Sequence, residues 1–141
     1  MARPKVLDRP IVFYDDQCRF CRWQAQQLRD GDTGGHLSIL PFCDPRFREL
    51  TPALTEEQRM ASMHVVGVDG RVHSAGDAVI ELFAASPKTR YRAWLARLLP
   101  PVRRKIAREY QSLADRRGEL SPKSPDVPPV VVEPRWVKTA H

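Results

Sequence analysis

Four apolar residues in succession, Ile11-Val12-Phe13-Tyr14, form the first strong hydrophobic run of the chain. Their β-branched and aromatic character, without polar alternation, predicts a strand covered on both faces, as in a parallel sheet. Asp15 and Asp16 end it. From Gln17 the pattern changes: Cys21, Ala25 and Leu28 recur at helical spacing among good helix formers, predicting a helix with Cys18 and Cys21 in its first turn. Gly31, Gly34 and Gly35 sit among Asp and Thr as a turn cluster, and Leu37-Ser38-Ile39-Leu40 resumes as a strand. Strand, helix and strand make a βαβ unit with parallel strands and a right-handed crossover.

Pro41-Phe42-Cys43-Asp44-Pro45 closes the second strand. Thr55 and Gln58 form a capping-box pattern that opens a helix running to Ala61. Met63 to Val68 and Arg71 to His73 flank Asp69-Gly70, a hairpin signal that predicts two antiparallel strands. Asp77 reads as the cap of the next helix, with Val79, Leu82 and Phe83 as its buried stripe. The order βαβ then ββα is the minimal thioredoxin-like α/β plan. Beyond Pro100-Pro101, Val102, Ile106, Tyr110, Leu113 and Ala114 repeat as an apolar stripe, a C-terminal helical extension docked on the domain.

The two ends lack this periodicity. Residues 1–9 read as a flexible arm, and from Ser121 the chain turns to Pro, Ser and Val with few apolar anchors. The expected organisation is one domain over 10–118 and a disordered tail over 119–141, in which Val130 to Val132 and Trp136 are the candidates for docking. With 141 residues and 42% hydrophobic content, one real core is feasible.

Charge alters the picture only locally. The net +6 arises because residues 88–117 hold ten Lys and Arg against Glu109 and Asp115, while residues 1–87 carry ten basic and twelve acidic side chains. Arg103, Arg104, Lys105 and Arg108 lie largely off the apolar stripe, as on a solvated helix face. A nucleic-acid or anionic-membrane surface would add exposed aromatics or a reading motif, so no specific nucleic-acid partner is expected. No run approaches a membrane span and no secretory h-region opens the chain, which makes a cytoplasmic location the expectation. Thiols there stay mostly reduced, so a CxxC is catalytic or metal-binding rather than a structural disulfide.

The candidate chemistry is that CxxC, Cys18-Arg19-Phe20-Cys21. A helix start offers unpaired N–H groups and the positive end of the macrodipole, both favourable to a thiolate. Arg19 and Arg22 act in the same direction, Asp15 and Asp16 against it. Three-residue spacing puts Cys21 on the same face one turn further in, where it can attack a mixed disulfide formed at Cys18. Two other readings compete: half of a zinc site in a small zinc-binding or basic interaction module, or simple packing at a strand–helix junction. Zinc needs two further ligands, and Cys43, His36, His64 and His73 show no paired ligand spacing. As a lone thiol, Cys43 reads as inert packing or an extra redox partner.

Asp15-Asp16-Gln17-Cys18-Arg19-Phe20-Cys21 resembles the DxxCxxC signature of the DCC family of thiol-disulfide oxidoreductases. The strand pair at Met63 to Val72, the Gly-x-x-Ala helix start at Gly76 to Val79 and the tyrosine-and-arginine helix from Tyr110 to Arg117 resemble later landmarks of that family, over roughly residues 9–118. The resemblance implies a thioredoxin-like fold and dithiol/disulfide exchange with a protein or small-molecule substrate, without a bound cofactor. It places Asp15 beside Cys18 and Cys21 in the site, orienting the turn or accepting a proton. Thioredoxin-like redox proteins usually carry a cis-proline before the third strand, where this chain has Ser62-Met63.

Overall fold

The computed structural model describes residues 5–138. A short strand β1 (Lys5–Leu7) precedes β2 (Ile11–Tyr14), helix α1 (Arg19–Gly31) and β3 (Ser38–Pro41). Helices α2 (Pro45–Leu50) and α3 (Glu56–Ala61) lead to the hairpin of β4 (His64–Val66) and β5 (Val72–Ser74). Helices α4 (Ala75–Ala85), α5 (Arg90–Leu98), α6 (Pro100–Asp115) and α7 (Arg117–Leu120) follow, then a 3₁₀ turn at Ser121–Lys123 and strand β6 (Trp136–Lys138).

Four strands form one sheet in the order β3-β2-β4-β5. Strands β2 and β3 are parallel, with Val12 opposite Ile39, and β4 runs antiparallel to both β2 and β5. This is the expected α/β, thioredoxin-like arrangement. All of β2 is buried because both sheet faces are covered. Val12, Tyr14, Ile39 and Val65 pack with Ala25 of α1 and Ala78 of α4 on one face. Ile11, Phe13, Leu40 and Val66 pack with Phe47 of α2 on the other, where Phe13 and Phe42 stack on Phe47 with ring centroids 4.8 and 4.7 Å away. Ile80, Ala93 and Ala96, with Val102 and Ile106, join α4, α5 and α6 in a third cluster. No helix among the described residues is long and apolar enough to cross a membrane.

Several local expectations are realised and several corrected. Thr55 and Gln58 form both bonds of the capping box on α3. Helix α4 begins three residues earlier than a cap at Asp77 suggested, with Ser74 at its N-cap, and Asp77 instead pairs with Arg103 at 2.8 Å. Its fully buried side is Gly76, Ala78 and Ile80; Val79, Leu82 and Phe83 are only half-buried. Helix α2 lies where only a strand end was read: Asp44 accepts the Arg46 N–H at 2.9 Å, and Pro45 occupies the first helical position.

The ends differ most from expectation. Residues 5–7 of the predicted arm form β1, paired antiparallel with β6, so Leu7 is buried; residues 1–4 lie outside the described residues. The predicted disordered tail is ordered through residue 138, with 139–141 outside the described residues. Val132 exchanges two backbone hydrogen bonds with Ile39 at 2.8 and 3.0 Å on the open edge of β3. Val130 is 2% exposed, its carbonyl accepting from the Tyr14 hydroxyl at 2.8 Å and its N–H donating back to that oxygen at 2.6 Å. A segment too apolar-poor to fold alone is ordered here by a sheet edge that already exists, which local composition does not register.

Helices α4 and α6 meet at a small residue. A Cβ added to Gly76 would lie 2.9 Å from the Ala107 Cα, a backbone atom that cannot swing away. Gly76→Ala is therefore expected to cost about 1–3 kcal/mol through forced separation of the helices, read as a lower midpoint in urea denaturation. An unchanged midpoint would show that the helix pair yields without strain.

Candidate active site

The two thiols follow directly from the end of β2. The Asp15 carbonyl accepts the Cys18 N–H at 3.3 Å and its side chain accepts the Gln17 N–H at 3.0 Å, so Asp15 shapes the turn into α1. Cys18 is the N-cap of that helix, and its Sγ accepts the backbone N–H of Cys21 at 3.3 Å. A sulfur thus takes the place usually filled by a Ser or Asp oxygen, at the positive end of a 13-residue helix. Both cysteines are free and partly buried.

The C-terminal elements close over this helix start. Ser121 Oγ lies 3.7 Å from Cys18 Sγ and accepts the Phe20 N–H at 3.4 Å. The Arg117 guanidinium donates weakly to Cys21 Sγ across 4.0 Å and sits 3.6 Å from the Asp15 carboxylate. Burial, reinforced by Cys18, pushes the Cys21 thiol up to about 12, with Arg117 pulling the other way. Burial opposes the Arg117 charge, but its contacts with Cys21 and the Asp15 carboxylate outweigh burial and push the guanidinium pKa up. At neutral pH Cys21 is therefore a thiol, facing a fixed cation.

Beside Cys21 lies a mainly apolar cavity of about 330 Å³, walled by Val12, Ala25, Leu28, Leu82 and Ile106, with Asp15, Tyr110 and Arg117 among its polar lining. The half-buried Val79, Leu82 and Phe83 of α4 face this space. Met63 also lines it, and both of its backbone groups are occupied. Its N–H donates to the Tyr110 hydroxyl at 3.0 Å and its carbonyl accepts the Ala75 N–H at 3.1 Å. Ala75 holds that bond with a left-handed backbone, φ 54°, a conformation costing a non-glycine residue about 1–2 kcal/mol. Burial pushes the Tyr110 phenol up, so it remains protonated.

The remaining candidates make no contact with the two thiols among the described hydrogen bonds. Cys43 is exposed after β3, and its N–H donates to Asp16 Oδ1 at 3.3 Å, beside the turn that leads into α1. His64 is buried in the sheet, with Nδ1 2.7 Å from Ser74 Oγ and Nε2 3.1 Å from the Gln58 and Arg59 carbonyls. Two carbonyls can only accept, so Nε2 carries the hydrogen and Nδ1 accepts from the serine. Burial depresses its pKa, which fits a structural, neutral imidazole. Among the described residues, no three His, Cys, Asp or Glu side chains gather where they could hold a metal ion. Sequence reasoning assigned no role to Arg117, Tyr110 or Ser121. The first two lie in the tyrosine-and-arginine landmark, whereas Ser121 opens the stretch read as tail and carried no signal.

A DCC1-like thiol-disulfide oxidoreductase family model matches residues 12–123. No curated protein and no solved structure matches the chain significantly. The matched span opens in β2, holds both thiols, and ends at the 3₁₀ turn that brings Ser121 against Cys18. The strand–CxxC–helix junction and the helices that close over it thus fall within one family-wide unit, and the chain belongs to the DCC1-like thiol-disulfide oxidoreductase family.

Proposed function

We infer that the protein exchanges a dithiol for a disulfide through Cys18 and Cys21. The observation carrying this reading is the Cys18 sulfur capping α1 on the Cys21 N–H, which presents one sulfur to the helix dipole with the second one turn inward. Cys18 thiolate attacks a substrate disulfide, forming a Cys18–substrate disulfide and releasing the first substrate thiolate. Cys21 loses its proton and attacks Cys18 Sγ, forming the Cys18–Cys21 disulfide and releasing the second substrate thiol. Two electrons pass from the protein dithiol to the substrate, and an external thiol restores the reduced pair.

Asp15 orients the turn and fixes Arg117, and Arg117 favours the Cys21 thiolate when resolution requires it. Because both backbone groups of Met63 are already bonded within the chain, Met63 offers no free N–H and C=O pair to an extended peptide. The exchange reading is tested by equilibrating reduced protein with mixtures of reduced and oxidised glutathione. The expected product is a peptide linking Cys18 to Cys21 whose fraction follows the glutathione ratio. Failure of that linkage to form at any ratio would overturn the reading.

Arg117→Met removes the cation that opposes the rise of the Cys21 thiol, so Cys21 is expected to titrate still higher. Mapped alkylation of wild type should show Cys21 reacting only as pH climbs toward 12, with the variant's profile displaced further alkaline. Resolution of a mixed disulfide at neutral pH should slow about tenfold, the equivalent of one pKa unit. A variant that resolves at the wild-type rate would remove Arg117 from the exchange.

A further inference from the structure

We propose that the elbow of α5 and α6 is a peripheral docking surface for an anionic lipid bilayer. Helix α5 buries Ala93 and Ala96 against its neighbours, yet its other side is also apolar. Tyr91, Trp94 and Leu98 are 56, 61 and 56% exposed, and their three- and four-residue spacings place them in one strip. Leu99, 48% exposed, and the exposed Pro100 and Pro101 continue this apolar surface around the elbow. Arg90 and Arg97 lie seven residues apart along the side of the strip.

Charge complementarity identifies the occupant. The elbow lies in the segment of net +8, and among the described residues Lys88, Arg90, Arg104 and Arg108 make no ion pair. Tryptophan and tyrosine beside leucine, flanked by arginine and lysine, match the boundary between acyl chains and anionic headgroups. Each basic side chain near such a surface contributes on the order of 1 kcal/mol, and the apolar strip adds burial that charge alone does not supply. A polyphosphate backbone would satisfy the cations but leave Leu98 and Leu99 wet. A second copy would bring two surfaces of the same sign together. The surface is separate from the CxxC, so the proposal stands or falls independently of the exchange chemistry.

The experiment is sedimentation of the full chain with phosphatidylcholine vesicles, with and without phosphatidylserine, at rising salt. Binding is expected only with the anionic lipid, lost progressively as salt rises, with brominated acyl chains quenching tryptophan emission. Trp94→Ala with Leu98→Ala should weaken partitioning at least about tenfold while helical content and Cys18–Cys21 linkage stay unchanged. Arg90→Gln with Arg104→Gln should weaken binding to anionic vesicles by a similar factor. No partitioning at low salt, or equal partitioning onto neutral vesicles, would overturn the proposal. So would tighter binding to a DNA or RNA oligonucleotide at matched salt, or self-association abolished by Trp94→Ala.

Discussion

Cys18→Ser is expected to abolish disulfide exchange, with turnover falling at least about a thousandfold to the level of the uncatalysed thiol reaction. No other cysteine caps the helix: Cys21 is held as a thiol with its pKa pushed up to about 12, and Cys43 is exposed beyond β3. Cys21→Ser fails differently. The first attack proceeds, resolution does not, and a mixed disulfide on Cys18 accumulates that mass spectrometry can isolate. Cys43→Ser should retain most activity. Adduct masses after exposure to a small disulfide, together with peptide mapping of the first thiol alkylated at neutral pH, distinguish these cases. An adduct held on Cys21 or Cys43 in wild type would reverse the assignment of nucleophile.

Truncation after Lys123 is expected to destabilise the fold by about 3–5 kcal/mol. Removing residues 124–138 uncovers the edge of β3, takes away Val130, and leaves the Tyr14 hydroxyl without its two backbone partners. It also strips β1 of its partner strand β6. Burial of Val130 accounts for about 2 kcal/mol and the lost buried hydrogen bonds for about 1 kcal/mol each. Tyr14→Phe tests the hydroxyl separately, since it orphans a buried N–H and a buried carbonyl in an otherwise intact chain, at a cost of about 1–3 kcal/mol. Denaturant unfolding of both proteins measures these losses. Wild-type stability in the truncated chain would show that the tail adds nothing to the core.

The difference between what local pattern disclosed and what it did not has a physical basis. Ile11–Tyr14 was legible because a strand buried on both faces permits only apolar residues, and the observed bounds coincide with the run. The capping box at Thr55 and the hairpin at Asp69-Gly70 were legible because each is set by residues within a few positions. Arg117 and Ser121 reach the thiols, and Tyr110 the cavity beside them, from about ninety to a hundred residues away, carried by the α4–α6 contact at Gly76, and no local signal specifies that approach. The α5 aromatics escaped for a related reason. The apolar positions of a basic helix read alike whether they face a core or water, and only the buried Ala93 and Ala96 show which side is covered.

The pairing of β1 with β6 joins residues 5–7 to residues 136–138 and so sets an order on biosynthesis. During synthesis the N-terminal strand has no partner, and the edge of β3 stays open until Val132 emerges. The CxxC unit of β2, α1 and β3 can assemble early, while its exposed edge is free to pair with any extended chain nearby. Closing that edge waits for Val132, so the nascent chain carries its thiols and an unpaired strand together from the completion of β3 until that residue is made. A chaperone or a second nascent chain would meet the sheet in this interval, whereas the finished molecule presents that edge already occupied.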